Sequence, residues 1–192
     1  IQMVNLTRGG EAVKMSKRAG TVVSLREVVE EVSRDATRFL FLTSRDDAQL
    51  DFDLELAKRQ TIDNPVYYVQ YGHARIASIL QKAEEGGHPA ARYDLEALRA
   101  LQLPEEQDLI RRILSFPDLI AGAATAYEPH RVAFYLQETI GAFHAYYTLG
   151  KSGERVISDD KRKTAARLYL CWALKQVLAN ALDLLGVSAP DR

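Results

Sequence analysis

The sequence predicts a mainly α-helical protein, an antiparallel helical bundle that follows a small β-hairpin. Three observations support this fold class. Apolar residues recur at helical spacing over long segments from residue 64 onward, prolines and glycines stand where helices would begin and end, and extended patterns are confined to the first 15 residues. With 192 residues, 47% of them hydrophobic and 27% charged, the chain can bury a core.

The N-terminal part combines strand and helix signals. Residues 2–6 and 11–15 have extended patterns on either side of a Gly-Gly turn, which predicts a short hairpin. Ser24 with Glu27 forms a capping box that opens the first helix, and Asp35 is expected to cap the second. Helices in this part are expected at about 24–32, 35–42 and 54–60.

Helical signals are stronger in the rest of the chain. Asn64 is a suitable N-cap, Pro65 occupies the first helical position, and the glycines at 86–87 should end this long amphipathic helix. Further prolines suit the first turns of later helices. The final helix is expected to bury a stripe that includes Cys171 and Trp172. The later helices are expected at about 104–114, 117–127, 129–149 and 159–185.

Composition excludes several classes of protein. No apolar run approaches the roughly 18 residues that cross a bilayer, and the start has no signal-peptide pattern, so we expect no membrane contact and a cytoplasmic location. The single Cys171 allows no internal disulfide. The four histidines lack ligand spacing and the acidic stretch at 44–53 fits no calcium loop, so no metal site is expected and that stretch is interpreted as a solvated loop. With a formal net charge of -1, any nucleic-acid binding must use local basic patches.

A basic loop lies near the start of the chain. Lys14 and Lys17 place two ammonium groups three residues apart, in a loop that Gly20 closes. Two lysines aimed at a transferring phosphoryl group would stabilise its negative charge. From charge alone, however, a solvated basic turn is the commoner explanation.

Aromatic and polar residues cluster on two of the predicted helices. Unpaired RNA bases stack on aromatic rings and guanidinium planes and hydrogen-bond to neighbouring polar groups. Helical spacing places Tyr68, Tyr71 and Arg75 at adjoining positions of one face, beside the apolar stripe. For any single ring, completing the core is the alternative interpretation. The second cluster comprises Phe143, His144, Tyr146 and Tyr147.

A basic run surrounds the start of the last helix. It extends from Lys151 to Arg167 and also contains acidic residues. Such a run could contact RNA phosphates, and it could equally be a solvated helix start. Arg167 is the member that we include among the candidate RNA contacts.

The order of residues in these motifs resembles one family of enzymes. The KMSK run at 14–17 matches the signature loop of class I aminoacyl-tRNA synthetases. The segments at 50–54, 63–76 and 166–187 resemble arginyl-tRNA synthetases, including the run DNPVYYVQYGHARI. The resemblance extends over nearly the whole chain and weakens only at about 88–107.

The resemblance implies a two-part organisation. Residues 1–60 would be the end of a catalytic domain, and residues 61–192 an all-helical domain that recognises the anticodon of tRNA(Arg). The ATP-binding loop would consist of Lys14, Met15, Ser16 and Lys17. Its two lysines would stabilise the phosphates of ATP, bound with Mg²⁺, while arginyl-adenylate forms. The other two residues would shape the loop.

The resemblance also bears on the aromatic clusters. It raises Tyr71 and the segment 143–147 above their neighbours as RNA contacts. The residues predicted to bind tRNA are Tyr68, Tyr71, Arg75, Phe143, His144, Tyr146, Tyr147 and Arg167.

Members of this family also need an upstream nucleotide-binding fold, which supplies the pockets for ATP and L-arginine. The sequence has no His-x-Gly-His motif and no glycine-rich strand-to-helix turn, and it begins without methionine. We therefore expect a monomeric fragment of a longer enzyme, inactive by itself.

Two other interpretations stay open. One is a helical protein-interaction scaffold, and the other is a different class I synthetase, such as those for cysteine or methionine. Exposed aromatic residues beside arginines would favour RNA binding, whereas an exposed aliphatic patch would favour a scaffold.

Overall fold

A small sheet and a set of helices make up the part of the chain that the structure describes. The computed structural model describes residues 3–15, 22–45, 47–88 and 95–192. The strands are β1 (Val4–Arg8), β2 (Glu11–Ala12) and β3 (Leu50–Asp53). Strand β1 pairs antiparallel with β2, as the predicted hairpin requires, and parallel with β3, so the strand order is β2-β1-β3.

Strand β3 corrects the interpretation of residues 44–53 as a solvated loop. Leu50 and Phe52 alternate with two aspartates, and Phe52 is only 1% exposed, with its ring centroid 5.3 Å from that of Phe41. Two apolar residues within an acidic stretch give only a weak sequence signal for a strand. The partner strand lies 46 positions earlier, so only the folded chain brings the two together.

The N-terminal part also contains three helices, two between β2 and β3 and one after β3. They are α1 (Leu25–Val32), α2 (Arg34–Phe41) and α3 (Leu54–Lys58). The predicted capping box is present, because the Glu27 carboxylate accepts from the backbone N–H of Ser24 at 2.6 Å and the Ser24 hydroxyl accepts from the backbone N–H of Glu27 at 3.3 Å. The prediction that Asp35 caps α2 is wrong, because Ser33 holds that position and accepts from the backbone N–H of Ala36. Asp35 instead accepts from the backbone N–H of Ser188 at 3.1 Å.

The remaining helices form the bundle. They are α4 (Pro65–Glu85), α5 (Leu95–Leu98), α6 (Pro104–Ala126), α7 (His130–Thr148) and α8 (Lys161–Leu184). Asn64 caps α4 through the backbone N–H of Val66, as predicted. No helix in the described part of the chain has the length and apolar character needed to cross a membrane.

Helix α6 corrects the expectation of two separate helices at 104–114 and 117–127. It continues through the exposed Pro117, which lacks a backbone N–H and therefore cannot bond the carbonyl one turn earlier. Buried residues on both sides of the proline, Leu109 and Ala123, keep the helix packed, with Tyr135 of α7 bonding the Arg112 carbonyl at 2.9 Å. This packing outweighs the local cost of the proline.

The core lies where α4, α6, α7 and α8 meet. Most of the stripe predicted for α8 is buried, including Cys171, Leu174 and Leu178. Val177 is half-buried, and Trp172 is 41% exposed, with its ring stacked on Tyr169 at 5.5 Å. The prediction that Trp172 is buried is therefore wrong.

The segment after α8 binds the N-terminal helices to the bundle. Arg38 of α2 donates to the carbonyl oxygen of Leu185 at 2.9 Å, and Gln70 of α4 donates to Asp35 at 2.9 Å and to the Ser188 carbonyl at 3.0 Å. A Cβ on Gly186 would lie 2.6 Å from Arg38 Nε, so a side chain there would disturb this contact. Helix α2, helix α4 and the segment after α8 are thus joined by hydrogen bonds.

Candidate nucleic-acid interface

A groove of about 890 Å³ lies between α4 and α7. The close approach of these helices positions its walls, because a Cβ on Gly72 would lie only 2.5 Å from Ile140 Cδ1. Four side chains that could receive RNA bases therefore face one another across a short distance. They are Tyr71 and Arg75 on α4 and His144 and Tyr147 on α7.

Arg75 is the central contact of the groove. Its guanidinium carbon lies 4.7 Å from the Tyr71 ring centroid and 5.3 Å from that of Tyr147, within the range of cation–π attraction. The same guanidinium donates to the Tyr71 hydroxyl and lies 3.4 Å from His144 Nδ1. These contacts hold a planar cation and two rings in place before any ligand arrives, which lowers the entropic cost of binding.

His144 contributes a neutral imidazole. Burial lowers its pKa, and the positive charge of Arg75 lowers it further, so the ring is uncharged at neutral pH. Because Arg75 can only donate, Nδ1 of His144 accepts and Nε2 carries the proton. The ring also lies 5.3 Å from Tyr68 and 6.3 Å from Tyr71. It can therefore stack on a base or donate to one.

The rings that face the groove are accessible. Tyr71 is 38% exposed and Tyr147 is 42% exposed. Tyr67 extends the aromatic surface, since its ring stacks on that of Tyr71 at 6.0 Å with an interplanar angle of 11°. An unpaired base can therefore reach a ring face without rearrangement of the core.

Basic residues border the aromatic part of the groove. Lys82, Lys151 and Arg155 are exposed and line it, and none of the described lining residues is acidic. A second cavity of about 550 Å³ shares Lys151 and Arg155 and continues the groove toward His88 and Gly153. An aromatic section thus leads into a polar one that carries Lys151 and Arg155 together with Asp159. The rings suit the bases of a single strand, and the two cations suit its phosphates.

Comparison with known proteins identifies the family of the chain. The model of the family described as the DALR anticodon binding domain matches residues 69–192. The chain belongs to the DALR anticodon binding domain family. It corresponds to the C-terminal DALR region of arginyl-tRNA synthetases, which confirms the family predicted from the sequence, and the mainly helical DALR fold confirms the predicted fold class.

Individual relatives of this DALR region show the same relationship. The chain is 77% identical over 193 residues to an arginine–tRNA ligase of Anaeromyxobacter sp. strain Fw109-5, covering 100% of the chain and 32% of that ligase. The Geobacter metallireducens ligase is 51% identical over 191 residues, with 100% of the chain and 33% of the ligase covered. The Thermus thermophilus arginyl-tRNA synthetase structure superposes with a TM-score of 0.75 at 27% identity, covering 97% of the chain and 34% of that structure. The chain thus spans about a third of the length of these relatives.

The DALR fold brings together five of the residues predicted to bind tRNA. Tyr68, Tyr71, Arg75, His144 and Tyr147 all line the groove. Tyr68 is half-buried, and its hydroxyl lies 3.6 Å from the position of a Cβ on Gly141, so it forms the floor between the two helices.

Three other predicted tRNA contacts are buried in this DALR domain, which corrects their assignment. Phe143, Tyr146 and Arg167 are 0%, 1% and 2% exposed. The sequence prediction treated 143–147 as one cluster, but successive helical positions rotate by about 100°, so 143 and 146 face the core while 144 and 147 face the groove. Phe143 instead packs against Tyr147 from the core side, with its ring centroid 5.9 Å from that of Tyr147.

The basic loop near the start is described only in part. Lys14 and Met15 follow β2 and are exposed. The predicted residues Ser16 and Lys17 lie outside the described residues.

The sequence prediction missed part of the basic border. Lys82 and Arg155 line the groove but were not among the predicted tRNA contacts. Lys82 could have been found, because it follows Arg75 by seven positions and so returns to the same face of α4. Arg155 belongs to the basic run at 151–167 that could contact phosphates, but the sequence could not single it out, because its place depends on how a loop folds back onto α7.

Proposed function

We propose that this chain recognises the anticodon loop of tRNA(Arg) through the groove between α4 and α7, as the RNA-binding part of a ligase that joins arginine to its tRNA. One observation carries the proposal: the Arg75 guanidinium lies over the rings of Tyr71 and Tyr147, beside a neutral His144, in a groove with a basic border. Anticodon bases are unpaired and are read by stacking and by hydrogen bonds to their exposed edges.

Magnitudes support stacking as the main source of affinity. Each base stacked on an aromatic side chain contributes about 1–3 kcal/mol, whereas a formal net charge of -1 gives the whole chain no long-range attraction for RNA. The groove therefore has to combine rings for the bases with a few local cations for the backbone. It offers both within one continuous surface.

The N-terminal part has a separate role in this proposal. Residues 1–60 complete a catalytic domain, and residues 61–192 form the anticodon-binding domain. Lys14 and Lys17 stabilise the phosphates of ATP with its Mg²⁺, and upstream residues of the longer cytoplasmic enzyme bind L-arginine. The exposed Lys14 fits this role, since its ammonium is available to a phosphate. We expect the chain to be monomeric and to catalyse nothing without the upstream part.

Filter binding of the chain to tRNA(Arg), with an otherwise identical tRNA that carries an altered anticodon loop, tests the proposal. We expect tighter binding to the natural loop, with an affinity that falls as salt rises. Equal, weak binding to both RNAs would overturn the anticodon assignment and favour a helical scaffold.

A further inference from the structure

We propose that Arg167 is a positioning residue that, from inside the core, holds the basic segment 150–157 against the groove so that Lys151 and Arg155 meet the phosphates of the bound strand. This inference rests on the proposed function, and it identifies the residues that contact the phosphate backbone of the RNA. Arg167 itself touches no RNA, because only 2% of it is exposed.

The guanidinium of Arg167 connects three parts of the fold. Its Nε donates to Glu106 Oε1 at 2.7 Å, its Nη1 donates to the carbonyl oxygen of Arg155 at 2.8 Å, and its Nη2 donates to the carboxylate of Glu154. Arg167 lies on α8, Glu106 in the first turn of α6, and the other two partners in the segment that follows α7. One side chain therefore fixes the segment to two helices.

The anchor on α6 is rigid. Glu106 is 0% exposed, and its second oxygen accepts from the backbone N–H of Leu103 at 3.0 Å, so the carboxylate cannot turn without loss of the helix cap. A guanidinium presents five N–H donors in a fixed planar fork, whereas a lysine ammonium is a single compact centre. Only arginine can span the anchor and both segment partners at once.

The segment that Arg167 holds carries two of the cations of the groove, Lys151 and Arg155. A short 3₁₀ turn over Leu149–Ser152 ends at Gly153, whose φ of 103° lies in the left-handed region. After this turn Arg155 folds back, with its Cγ 3.6 Å from the position of a Cβ on Gly150. Because Arg167 binds the Arg155 carbonyl, it sets the direction in which the Arg155 side chain leaves the backbone.

This geometry explains why a buried ion pair is retained at this place. Buried pairs contribute little net stability compared with apolar side chains of similar volume, so stability alone is a weak reason for one. Arg167 also lowers the pKa of Glu154 through its hydrogen bond, which keeps that carboxylate ionised. The pair thus fixes a loop whose exposed side chains must stay in place beside the aromatic rings of the groove.

The first test needs no RNA. In the Arg167→Lys variant of the chain, amide hydrogen exchange over 150–157 should accelerate at least about tenfold, while exchange in the middle of α4 stays unchanged. Unchanged exchange over 150–157 would overturn the positioning role. Because this measurement is made on the free chain, it stands whether or not the chain binds tRNA(Arg).

The second test is a double-mutant cycle on tRNA binding. Removal of one phosphate contact reduces the slope of log affinity against log salt by about 0.7 for a single strand. Arg155→Ala should therefore reduce this slope by about 0.7 in the wild-type background and by almost nothing in the Arg167→Lys background. Tyr71→Ala, in contrast, should weaken binding by the same factor in both backgrounds. An equal effect of Arg155→Ala in both backgrounds would contradict the inference, and a wild-type chain that fails to discriminate the anticodon would instead contradict the proposed function.

A further variant keeps the inference testable if Arg167→Lys does not fold. Glu154→Ala removes a half-exposed negative charge beside the groove, so electrostatics alone predicts tighter RNA binding. Positioning predicts the opposite, a binding that is several-fold weaker and less dependent on salt, because alanine cannot accept the hydrogen bond from Arg167 and the segment loses that partner. Tighter binding of Glu154→Ala would overturn the role of Arg167.

Discussion

At the scale of single residues, substitutions of two exposed rings on α7 can distinguish base stacking in the groove from a general effect of losing an exposed aromatic side chain. Tyr147 is 42% exposed and lines the groove, whereas Phe134 is 46% exposed and packs edge-on against His130 away from it. Tyr147→Ala should weaken binding of tRNA(Arg) by about 5- to 150-fold, the equivalent of one stacked base at about 1–3 kcal/mol. Filter binding measures the loss.

Phe134→Ala is the matched control for that substitution. It removes a ring of similar exposure from the same helix, so it reproduces any general effect on the stability of α7 but leaves the groove unchanged. Its affinity should stay within about twofold of wild type. If both variants lost affinity equally, the groove would not be the site.

A buried and a half-buried histidine make the stability of the chain depend on pH. Burial is the main cause that lowers the pKa of His73 and of His144 below the ordinary value of 6.5. Between each folded pKa and 6.5 the unfolded chain binds more protons, so stability is complete above about pH 6.5 and falls as pH drops below it. Carboxylates with lowered pKa values, such as Glu31 at about 2, lose their contribution only at lower pH.

Urea unfolding between about pH 7.5 and about pH 5.5 measures this histidine effect. The free energy of unfolding should decrease across that range in the wild-type chain. His73→Gln should flatten the decrease, since His73 is 1% exposed and donates from Nδ1 to the Pro190 carbonyl at 2.8 Å. A profile that is flat in the wild type would contradict the neutral, buried state of these rings.

Residue types predicted the chemistry of the groove better than its geometry. Tyr71 and Arg75 stand four positions apart, and such local spacing survives folding because one helix carries both. Arg167 was assigned to RNA because its charge belongs to a basic run. Its buried partner, Glu106, lies 61 positions away on another helix, so no local pattern marks that pair.

At the scale of helices, the separation of α4 and α7 determines the width of the groove. Gly72→Ala would place a Cβ within 2.5 Å of Ile140 Cδ1, which forces the helices apart. We expect a loss of about 1–3 kcal/mol in the free energy of unfolding, as for other overpacked cores, together with weaker tRNA binding. Urea unfolding and filter binding measure the two effects.

Gly141→Ala serves as the control for this helix contact. A Cβ on Gly141 of α7 would lie 3.6 Å from the Tyr68 hydroxyl, an ordinary contact distance. The substitution should leave stability unchanged or raise it by up to about 1 kcal/mol, because alanine is the better helix former. Ile140→Val should restore part of the stability lost in Gly72→Ala, and its failure to do so would show that the two residues do not set the spacing.

The helices of the bundle were predictable where caps and apolar periodicity agree. Asn64 with Pro65 predicted the start of α4 correctly, because the cap bonds lie within three residues. Pro117 misled the prediction, since local propensity cannot register that α6 packs on α7 on both sides of it. Tertiary packing outweighed propensity there, as it did when β3 formed from an acidic stretch.

At the scale of the whole molecule, the uneven placement of charge limits how steeply binding can depend on salt. The chain has a formal net charge of -1, and the cations of the groove are Arg75, Lys82, Lys151 and Arg155. With about 0.7 per phosphate contact, the slope of log affinity against log salt should be no steeper than about -3. A slope near twice that value would show further phosphate contacts outside the groove.

Photo-crosslinking tests most directly whether the groove between α4 and α7 binds the anticodon. The chain is crosslinked to tRNA(Arg) that carries 4-thiouridine at one anticodon position, and the attached peptide is identified. If the groove binds the anticodon, crosslinks fall on α4 around Tyr71 or on α7 around Tyr147, and they disappear when unlabelled tRNA(Arg) competes. Crosslinks on another surface, such as the exposed Trp172 of α8, with none on α4 or α7, would show that the groove does not receive the anticodon.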